Sequence, residues 1–274
     1  MFHYGQALSP LVRVCMKSFI DFGHVLNAYL FQDLDVPAGV RVLDANNILP
    51  REELFLFHKS PSAFSNIFRY KLLLENGGWW VDTDVLCLTD SIPDCEYAWA
   101  QQDPDQINGA ILKFPAGDKL CAKLLRHSLE RANSLSTWGQ LGPGLLTDQL
   151  PSGLPPNHFG SRKEFYPTHW VEAHMCWMEG ESGFIENKIV DSMFLHMWSS
   201  VLVKMKINLN SRPPRGSYFE KLIPQYLFVD GSNSELKDEV LSGIRSILDY
   251  KPTYKLLYQD KLGLDWKRIY PESD

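Results

Sequence analysis

The sequence predicts a globular α/β protein with one large domain, and three observations support this prediction. Strand-like apolar segments alternate along the chain with segments of helical apolar spacing, as in proteins whose helices cover a sheet. The chain has 274 residues, close to the size at which one hydrophobic core stops growing. Its 45% hydrophobic and 22% charged residues are ordinary for a globular enzyme and do not indicate disorder. We therefore expect one large domain.

The first 43 residues predict three short strands and one helix. The opening MFHYG, the later run HVLNAYLF and the segment Val40 to Leu43 are the strand candidates. Between the first two strands, Leu8 to Phe22 carries apolar residues at helical spacing. Gly23 follows it, and glycine commonly ends a helix.

The stretch from residue 60 to residue 84 holds the most informative pattern in the chain. A Ser-Pro pair at 60–61 has the residue types that begin a helix, which we expect to continue to Asn76. A Gly-Gly pair then supplies the left-handed conformation that stops the helix. Trp79 to Val81 is predicted to be a buried strand that ends in two aspartates.

The remaining elements continue the alternation. Further strands are predicted at Ala98 to Trp99 and Gly109 to Phe114. Helices are predicted at Lys119 to Ala132, Ser234 to Leu248 and Leu256 to Trp266. A surface loop is predicted at Pro151 to Glu164. The RPPRG segment at 212–216 is the best candidate for a break. We therefore predict a main domain at residues 1–211 and a C-terminal helical extension at residues 212–274, packed on the same domain.

Charge and hydropathy argue against several classes of protein. The net charge of -6 and a pI of about 5.8 are unlike those of a general nucleic-acid binder. No run of 18 apolar residues predicts a transmembrane segment, and the N-terminus lacks a signal-peptide pattern, although peripheral membrane association stays open. The sequence does not indicate an oligomeric state.

The cysteines indicate a reducing compartment. Their number is odd and no Cys-x-x-Cys spacing occurs, which favours buried free thiols over a disulfide framework or a zinc site. The five are Cys15, Cys87, Cys95, Cys121 and Cys176. We therefore expect a cytoplasmic protein.

Asp82 and Asp84 predict a metal site. Side chains two residues apart in an extended segment point to the same side. Two carboxylates placed in this way repel each other unless a cation lies near them, and hard divalent cations prefer oxygen ligands. The preceding helix adds a polar side formed by Asn66, Arg69 and Tyr70. That side is either an ordinary solvated face or a face directed at a ligand beside the carboxylates.

Taken together, the residues from Phe64 to Leu88 resemble the DXD sugar-transferases of glycosyltransferase family 32. The family pattern is roughly S-D-x-x-R-Y, a Leu-rich turn and G-G-x-Y-x-D-x-D, and the glucosyltransferase domains of large bacterial toxins carry a related version. The matching positions here are Ser65, Arg69, Tyr70, Gly77, Gly78, Asp82 and Asp84. Asn66 stands where many relatives have Asp, and Trp80 where they often have Tyr. Weaker similarities extend the resemblance to roughly residues 1–200.

The resemblance implies an A-type glycosyltransferase fold with a Rossmann-like, mostly parallel central sheet flanked by helices. Residues 1–211 would be its nucleotide-sugar-binding catalytic domain. The implied reaction moves a sugar from a nucleotide-diphosphate donor to a glycan, lipid-linked or protein acceptor, with retention of anomeric configuration. A UDP-sugar is the expected donor, although relatives that transfer mannose use GDP. The implied cofactor is Mn²⁺ or Mg²⁺.

The resemblance also implies roles for individual residues. Asp82, Asp84 and Arg69 would be catalytic, and Asp84, Asp82 and His196 would bind the metal. The donor-binding residues would be His3, Asn66, Arg69, Tyr70, Asp82, Asn108, Gly142, Pro143 and Trp198. No side chain is identified as a nucleophile, so attack assisted by the donor's own phosphate is expected.

Three alternatives remain. A D-x-D at a strand end also occurs in haloacid-dehalogenase phosphatases, but near the start of their domain. A nucleotide-sugar-binding protein without catalysis is a second alternative, for which Asn66 is the only indication. The third is a structural α/β protein with an incidental acidic strand end.

Overall fold

The computed structural model describes residues 1–150 and 155–223, and the backbone of residues 229–232. The chain divides into two compact units. The first comprises Met1–Leu8, Cys15–Tyr166 and Asp191–His196, and the second comprises Ser9–Val14, Pro167–Val190 and the described residues from Met197 onward. The helices predicted at residues 234–248 and 256–266 lie outside the described residues, and the domain division at residue 211 stays a prediction.

The described residues form eight α-helices, and the first three lie close to their predicted positions. The α-helices are α1 (Pro10–Asp21), α2 (Ser62–Asn76), α3 (Lys119–Arg131), α4 (Pro143–Gln149), α5 (Arg162–Phe165), α6 (Ser182–Lys188), α7 (Ser199–Lys204) and α8 (Tyr218–Leu222). Short 3-10 helices occur at Ala45–Asn47, Arg51–Glu53, Ala132–Ser134 and Trp170–Trp177. The predictions of α1, α2 and α3 are confirmed. Within residues 1–150 and 155–223, no helix has the length and apolarity that a membrane crossing requires.

The strands are short. They are β1 (Asn27–Leu30), β2 (Arg41–Asp44), β3 (Gly78–Val81), β4 (Val85–Cys87), β5 (Tyr97–Asp103), β6 (Gln106–Phe114), β7 (His158–Phe159), β8 (Phe194–His196), β9 (Ser211–Arg212) and β10 (Val229–Ser232). Of the three strands predicted in the first 43 residues, the opening segment forms only a single bridge, from Phe2 to Tyr29. The other two correspond to β1 and β2. The segment from Pro155 to Glu164 was predicted to be a loop, but it contains β7 and the first turn of α5.

The central sheet is mixed, so the expectation of a mostly parallel sheet is wrong. Its strand order is β3-β6-β5-β7, in which β6 pairs antiparallel with both β3 and β5, and only β5 with β7 is parallel. The physical reason is the connection between β5 and β6, where Asp103 pairs with Gln106 across a two-residue turn. A hairpin turn of this length joins antiparallel strands, whereas parallel neighbours need a long crossover. The broader α/β prediction is confirmed, with parallel pairing retained between β1 and β2.

The core of the first unit forms around α2, whose side chains contact the sheet and the N-terminal segment. The Phe2 ring stacks on Phe68 with centroids 4.5 Å apart, and Phe64 and Leu73 are also buried in this core. The helix ends at Gly77 with φ of 66°, where a Cβ would lie 2.6 Å from the backbone nitrogen of Ala116. Only glycine fits that position without strain. The burial of the α2 side chains and the end of this helix at Gly77 fix where β3 begins, and therefore where Asp82 and Asp84 lie.

The second unit contains a buried ion pair. Glu172 in the 3-10 helix Trp170–Trp177 is fully buried and accepts a hydrogen bond from Lys188 of α6 at 2.7 Å. The carboxylate also accepts from the backbone N–H of His169. Trp177 stacks on Phe219 of α8 with centroids 3.9 Å apart. These contacts hold the short helices of this unit together.

Candidate active site

Asp82 and Asp84 lie on a turn between β3 and β4, not on an extended strand end as predicted. The backbone N–H of Val85 donates to the carbonyl of Asp82 at 3.2 Å, which closes a four-residue turn. The backbone N–H of Asp82 still bonds Ala110 of β6 at 2.8 Å. The first aspartate therefore ends the β3 ladder, and the second precedes β4 in a different sheet. The turn, rather than strand alternation, brings the two carboxylates together.

His196 joins the two carboxylates through the pairing of β4 with β8. Val85 and His196 are direct partners in this antiparallel ladder, so the residue before Val85 lies beside the histidine. The His196 Nε2 is 3.4 Å from an oxygen of Asp84, and one ligand atom from each of Asp82, Asp84 and His196 lies within 4.8 Å of the others. Donors bound to one ion at about 2.0–2.3 Å lie about 3 Å apart. Small movements would let this cluster hold a divalent metal ion.

A buried arginine and an indole hold Asp82 in place. Arg69 is 6% exposed and donates to Asp82 Oδ1 at 2.8 Å and to the carbonyl of Gly109 at 2.5 Å. The indole N–H of Trp80 donates to the same Asp82 oxygen at 2.7 Å. The guanidinium also lies over the Trp80 ring, 5.0 Å from its centroid. A Cβ at position 109 would meet this guanidinium, so glycine there makes room for it.

The polar side of α2 is buried, so the interpretation as a solvated face is wrong. Asn66, Arg69 and Tyr70 are 8%, 6% and 0% exposed. The Tyr70 hydroxyl donates to the carbonyl of Leu141 at 2.8 Å, and burial raises its pKa well above the usual range. The phenol therefore stays neutral and fastens the loop before α4 to α2.

Asn66 and the loop at Gly142 are in contact. A Cβ at position 142 would lie 3.0 to 3.3 Å from the Asn66 amide, so glycine permits the close approach. Within the residues that the structure describes, the Asn66 side chain makes no hydrogen bond. Pro143 is the first residue of α4, and its carbonyl accepts from the Thr147 hydroxyl at 2.7 Å. The structure thus brings together three predicted donor-binding residues on two elements.

Other predicted donor-binding residues lie in different surroundings. The Asn108 amide donates to Gln102 at 2.5 Å and accepts from the backbone of Ala110 at 2.6 Å, both within the β5–β6 hairpin region. Trp198 belongs to the second unit, where its indole N–H donates to the carbonyl of Thr168 at 3.2 Å. Its φ of 52° is left-handed, an uncommon conformation for a bulky residue. Donor binding by both residues stays a prediction.

His3 lines a cavity of about 160 Å³ in the first unit. The cavity lies where the N-terminal segment and β1 end, because Tyr4, Phe31 and Gln32 also line it. In α/β proteins, ligands bind beyond the carboxyl ends of such parallel strands. Burial lowers the pKa of His3, so its ring is neutral at pH 7, and Nε2 is 3.2 Å from the Ala7 carbonyl. Arg51 adds a cation to the wall.

The sequence reasoning missed three contributors to the site. Trp80 precedes Asp82 by two residues on the same side of β3, and that spacing could have indicated the hydrogen bond. The Tyr166 hydroxyl accepts from Ile111 of β6 at 3.2 Å, with its ring 6.0 Å from the His196 ring. Burial, followed by the charge of Asp84, raises the pKa of Cys15, which therefore stays a neutral thiol beside the cluster. No local pattern in the sequence indicates the last two contacts.

All five cysteines are buried with free thiols, as predicted.

Comparisons with models of known protein families, with curated proteins and with solved structures found no match.

Proposed function

We propose that this chain is a metal-dependent glycosyltransferase that moves a sugar from a nucleotide-diphosphate donor, with UDP as the expected nucleotide. The observation that carries the proposal is the convergence of Asp82, Asp84 and His196 at the junction of β3, β4 and β8. Two carboxylates and one imidazole form a donor set that suits a divalent cation. The acceptor is a glycan, a lipid-linked glycan or a protein, and the anomeric configuration is retained.

The three donors have different roles in this proposal. Asp84 and His196 would bind the metal directly, because the antiparallel register keeps them together. Asp82 would bind with the oxygen that Arg69 and Trp80 do not occupy, or through a water molecule. When bound, Mn²⁺ or Mg²⁺ would neutralise the charge that develops on the diphosphate leaving group.

Arg69 contributes mainly by positioning in this proposal. Two of its nitrogens are already engaged by Asp82 and by the Gly109 carbonyl. It therefore fixes one metal-binding carboxylate and limits the repulsion between the two aspartates. Asn66 is better suited to contact the donor sugar, because its amide offers both a donor and an acceptor and uses neither within the described residues.

The cavity at His3 would hold the nucleobase. Its volume of about 160 Å³ is below the roughly 300–1,000 Å³ of pockets that enclose drug-sized ligands, and suits a single ring system. A neutral imidazole and the rings of Tyr4 and Phe31 supply flat surfaces for stacking.

A donor-turnover assay tests the proposal. The chain is incubated with several UDP-sugars and with GDP-mannose, in Mn²⁺ or in EDTA, and release of the nucleoside diphosphate is measured. We expect metal-dependent release that falls at least about 100-fold in Asp84→Asn, because an electrostatic contribution to the transition state is lost. The matched control is Asp148→Asn, which removes an exposed carboxylate of α4.

The same experiment separates the alternatives. Binding of a nucleotide sugar without release of diphosphate would indicate a binding protein. Absence of any thermal shift with nucleotide and metal would indicate a structural protein. Metal-dependent hydrolysis of p-nitrophenyl phosphate, without turnover of sugar nucleotides, would favour the phosphatase. Each of these three results contradicts the transferase proposal.

A further inference from the structure

Strand β6 is irregular beside the candidate active site. Trp99 of β5 alone faces residues 109–112 of β6, because its two neighbours in β5 pair with Asn108 and Lys113. We call residues 109–112 the β6 bulge. A bulge interrupts the regular ladder and redirects backbone groups, and bulges are frequent next to active sites. The hydrogen bonds of this bulge therefore indicate what it holds in place.

Two successive carbonyls of the β6 bulge hold Asp82. The Gly109 carbonyl accepts from Arg69 at 2.5 Å, and Arg69 also donates to the Asp82 carboxylate. The Ala110 carbonyl accepts from the backbone N–H of Asp82 at 2.8 Å. Asp82 is thus attached to the bulge twice, directly through its backbone and indirectly through the guanidinium. The position of the bulge therefore sets the position of this carboxylate.

Side chains, rather than a neighbouring strand, bond two N–H groups of the β6 bulge. The Ala110 N–H donates to the side-chain oxygen of Asn108 at 2.6 Å, and the Ile111 N–H donates to the Tyr166 hydroxyl at 3.2 Å. The same hydroxyl donates to the Asn108 carbonyl at 3.4 Å. One phenol therefore bonds the backbone on both sides of the two carbonyls that hold Asp82. A buried N–H without a partner is unfavourable, so these bonds stabilise the bulge.

Tyr166 also lies beside the third member of the metal cluster. Its ring centroid is 6.0 Å from that of His196. Tyr166 is fully buried, and its backbone N–H donates to the Arg162 carbonyl at the end of α5 at 2.7 Å. Burial raises the pKa of the phenol well above its ordinary value, so the hydroxyl stays protonated and can donate and accept at once. Tyr166 thus has a fixed place between β6 and β8.

We propose that Tyr166 is a positioning residue for the metal cluster formed by Asp82, Asp84 and His196. Its hydroxyl fixes the β6 bulge, and the bulge fixes Asp82 relative to the other two ligands. The inference rests on the proposed function and adds a residue that binds neither the metal nor the donor. Replacing a residue that orients metal ligands typically weakens metal binding about 10- to 100-fold.

Mn²⁺ titrations, followed by the electron paramagnetic resonance signal of the free ion, test this inference without any turnover. Tyr166→Phe keeps the ring and removes the hydroxyl, and it should raise the Kd for Mn²⁺ at least about tenfold, equivalent to about 1.4 kcal/mol. The matched control is Tyr97→Phe, which removes a hydroxyl that donates to Asp118 at 2.9 Å in the same unit. This control should leave the Kd unchanged. Asp84→Asn should abolish binding, which verifies that the titration measures the cluster.

A merely structural role for Tyr166 predicts a different result. Tyr166→Phe would then melt at a lower temperature in EDTA but bind Mn²⁺ with the wild-type Kd, and that result overturns the inference. Asn108→Ala is a second variant, because it removes the other side-chain acceptor of the bulge. Should Tyr166→Phe not fold, an unchanged Kd in Asn108→Ala overturns the inference. Absence of Mn²⁺ binding in the wild type, or binding that persists in Asp84→Asn, would overturn the metal site of the proposed function and the inference together.

Discussion

Replacing Asp84 by Asn should change the stability of the protein in opposite directions with and without metal. In the metal-free protein, ligand atoms of Asp82 and Asp84 lie within 4.8 Å of each other. Two charges at that distance repel by about 3.5 kcal/mol at an effective dielectric constant of 20, before screening and before the compensation that Arg69 provides. Asparagine removes this repulsion and keeps the shape of the side chain. The metal-free variant should therefore be at least as stable as the wild type.

With Mn²⁺ the order should reverse. A ligand at 100 times its dissociation constant stabilises the folded state by about 2.7 kcal/mol. For a protein of this size, that gain corresponds to a rise in melting temperature of about 5–10 °C. Asp84→Asn removes a proposed direct ligand and should lose the rise. His196→Ala should lose it as well, whereas Asp148→Asn should show the full wild-type rise.

Thermal melting of the four proteins in EDTA and in Mn²⁺ measures these differences directly. An equal Mn²⁺-dependent rise in the wild type and in Asp84→Asn would refute the assignment of that carboxylate. A wild-type rise that persists in His196→Ala would return the histidine to a structural role. Lower stability of Asp84→Asn in EDTA would show that its charge serves a structural interaction rather than a metal.

Three further predictions follow from individual contacts. Arg69→Met should lower the free energy of unfolding in urea by about 3 kcal/mol, because it leaves Asp82 without its ion-pair partner and the Gly109 carbonyl without a donor. A decrease below about 1 kcal/mol would contradict this role of Arg69. Gly142→Ala should raise the donor KM with little change in melting temperature, since the added Cβ displaces the Asn66 amide; an unchanged KM would separate the loop from the donor site. Burial raises the pKa of all five thiols, which keeps them protonated at pH 8. A thiol reagent should therefore modify no cysteine in the folded protein and all five after unfolding. Rapid modification of the folded protein would contradict the burial of the thiols.

Local signals in the sequence predicted the elements that lead into the site. The Ser-Pro start, the apolar side and the Gly-Gly stop of α2 are encoded within the 19 residues from Ser60 to Gly78, and the helix lies close to its predicted position. The N-terminal strands and the β5–β6 hairpin were predicted only in part, because short apolar runs do not fix strand ends or pairing partners. Whether a strand pairs parallel or antiparallel depends on residues far apart in the chain. The sequence pattern therefore indicated α/β but not the mixed sheet.

The site itself shows the same division between local and distant information. The choice of Asp82 and Asp84 came from adjacent residues, and the structure keeps them together, although through a turn. Their partner His196 is over 100 residues away, and the ladder between β4 and β8 that brings it close cannot be derived from periodicity. The hydrogen bond from Trp80 lay within reach of sequence reasoning, because it spans only two positions of one strand.

The charges of the site also indicate how metal and donor would depend on each other. Arg69 balances one of the two carboxylates, so the group formed by Arg69, Asp82 and Asp84 carries a net charge of about one negative unit. A divalent cation would change the sign of that charge and make the same place attractive to a diphosphate. Binding of the donor and of the metal would then be coupled, and the coupling is reciprocal because both share one free energy. The cavity at His3 is lined by one cation, Arg51, and by no carboxylate, so a nucleobase bound there would contribute affinity that does not depend on the metal.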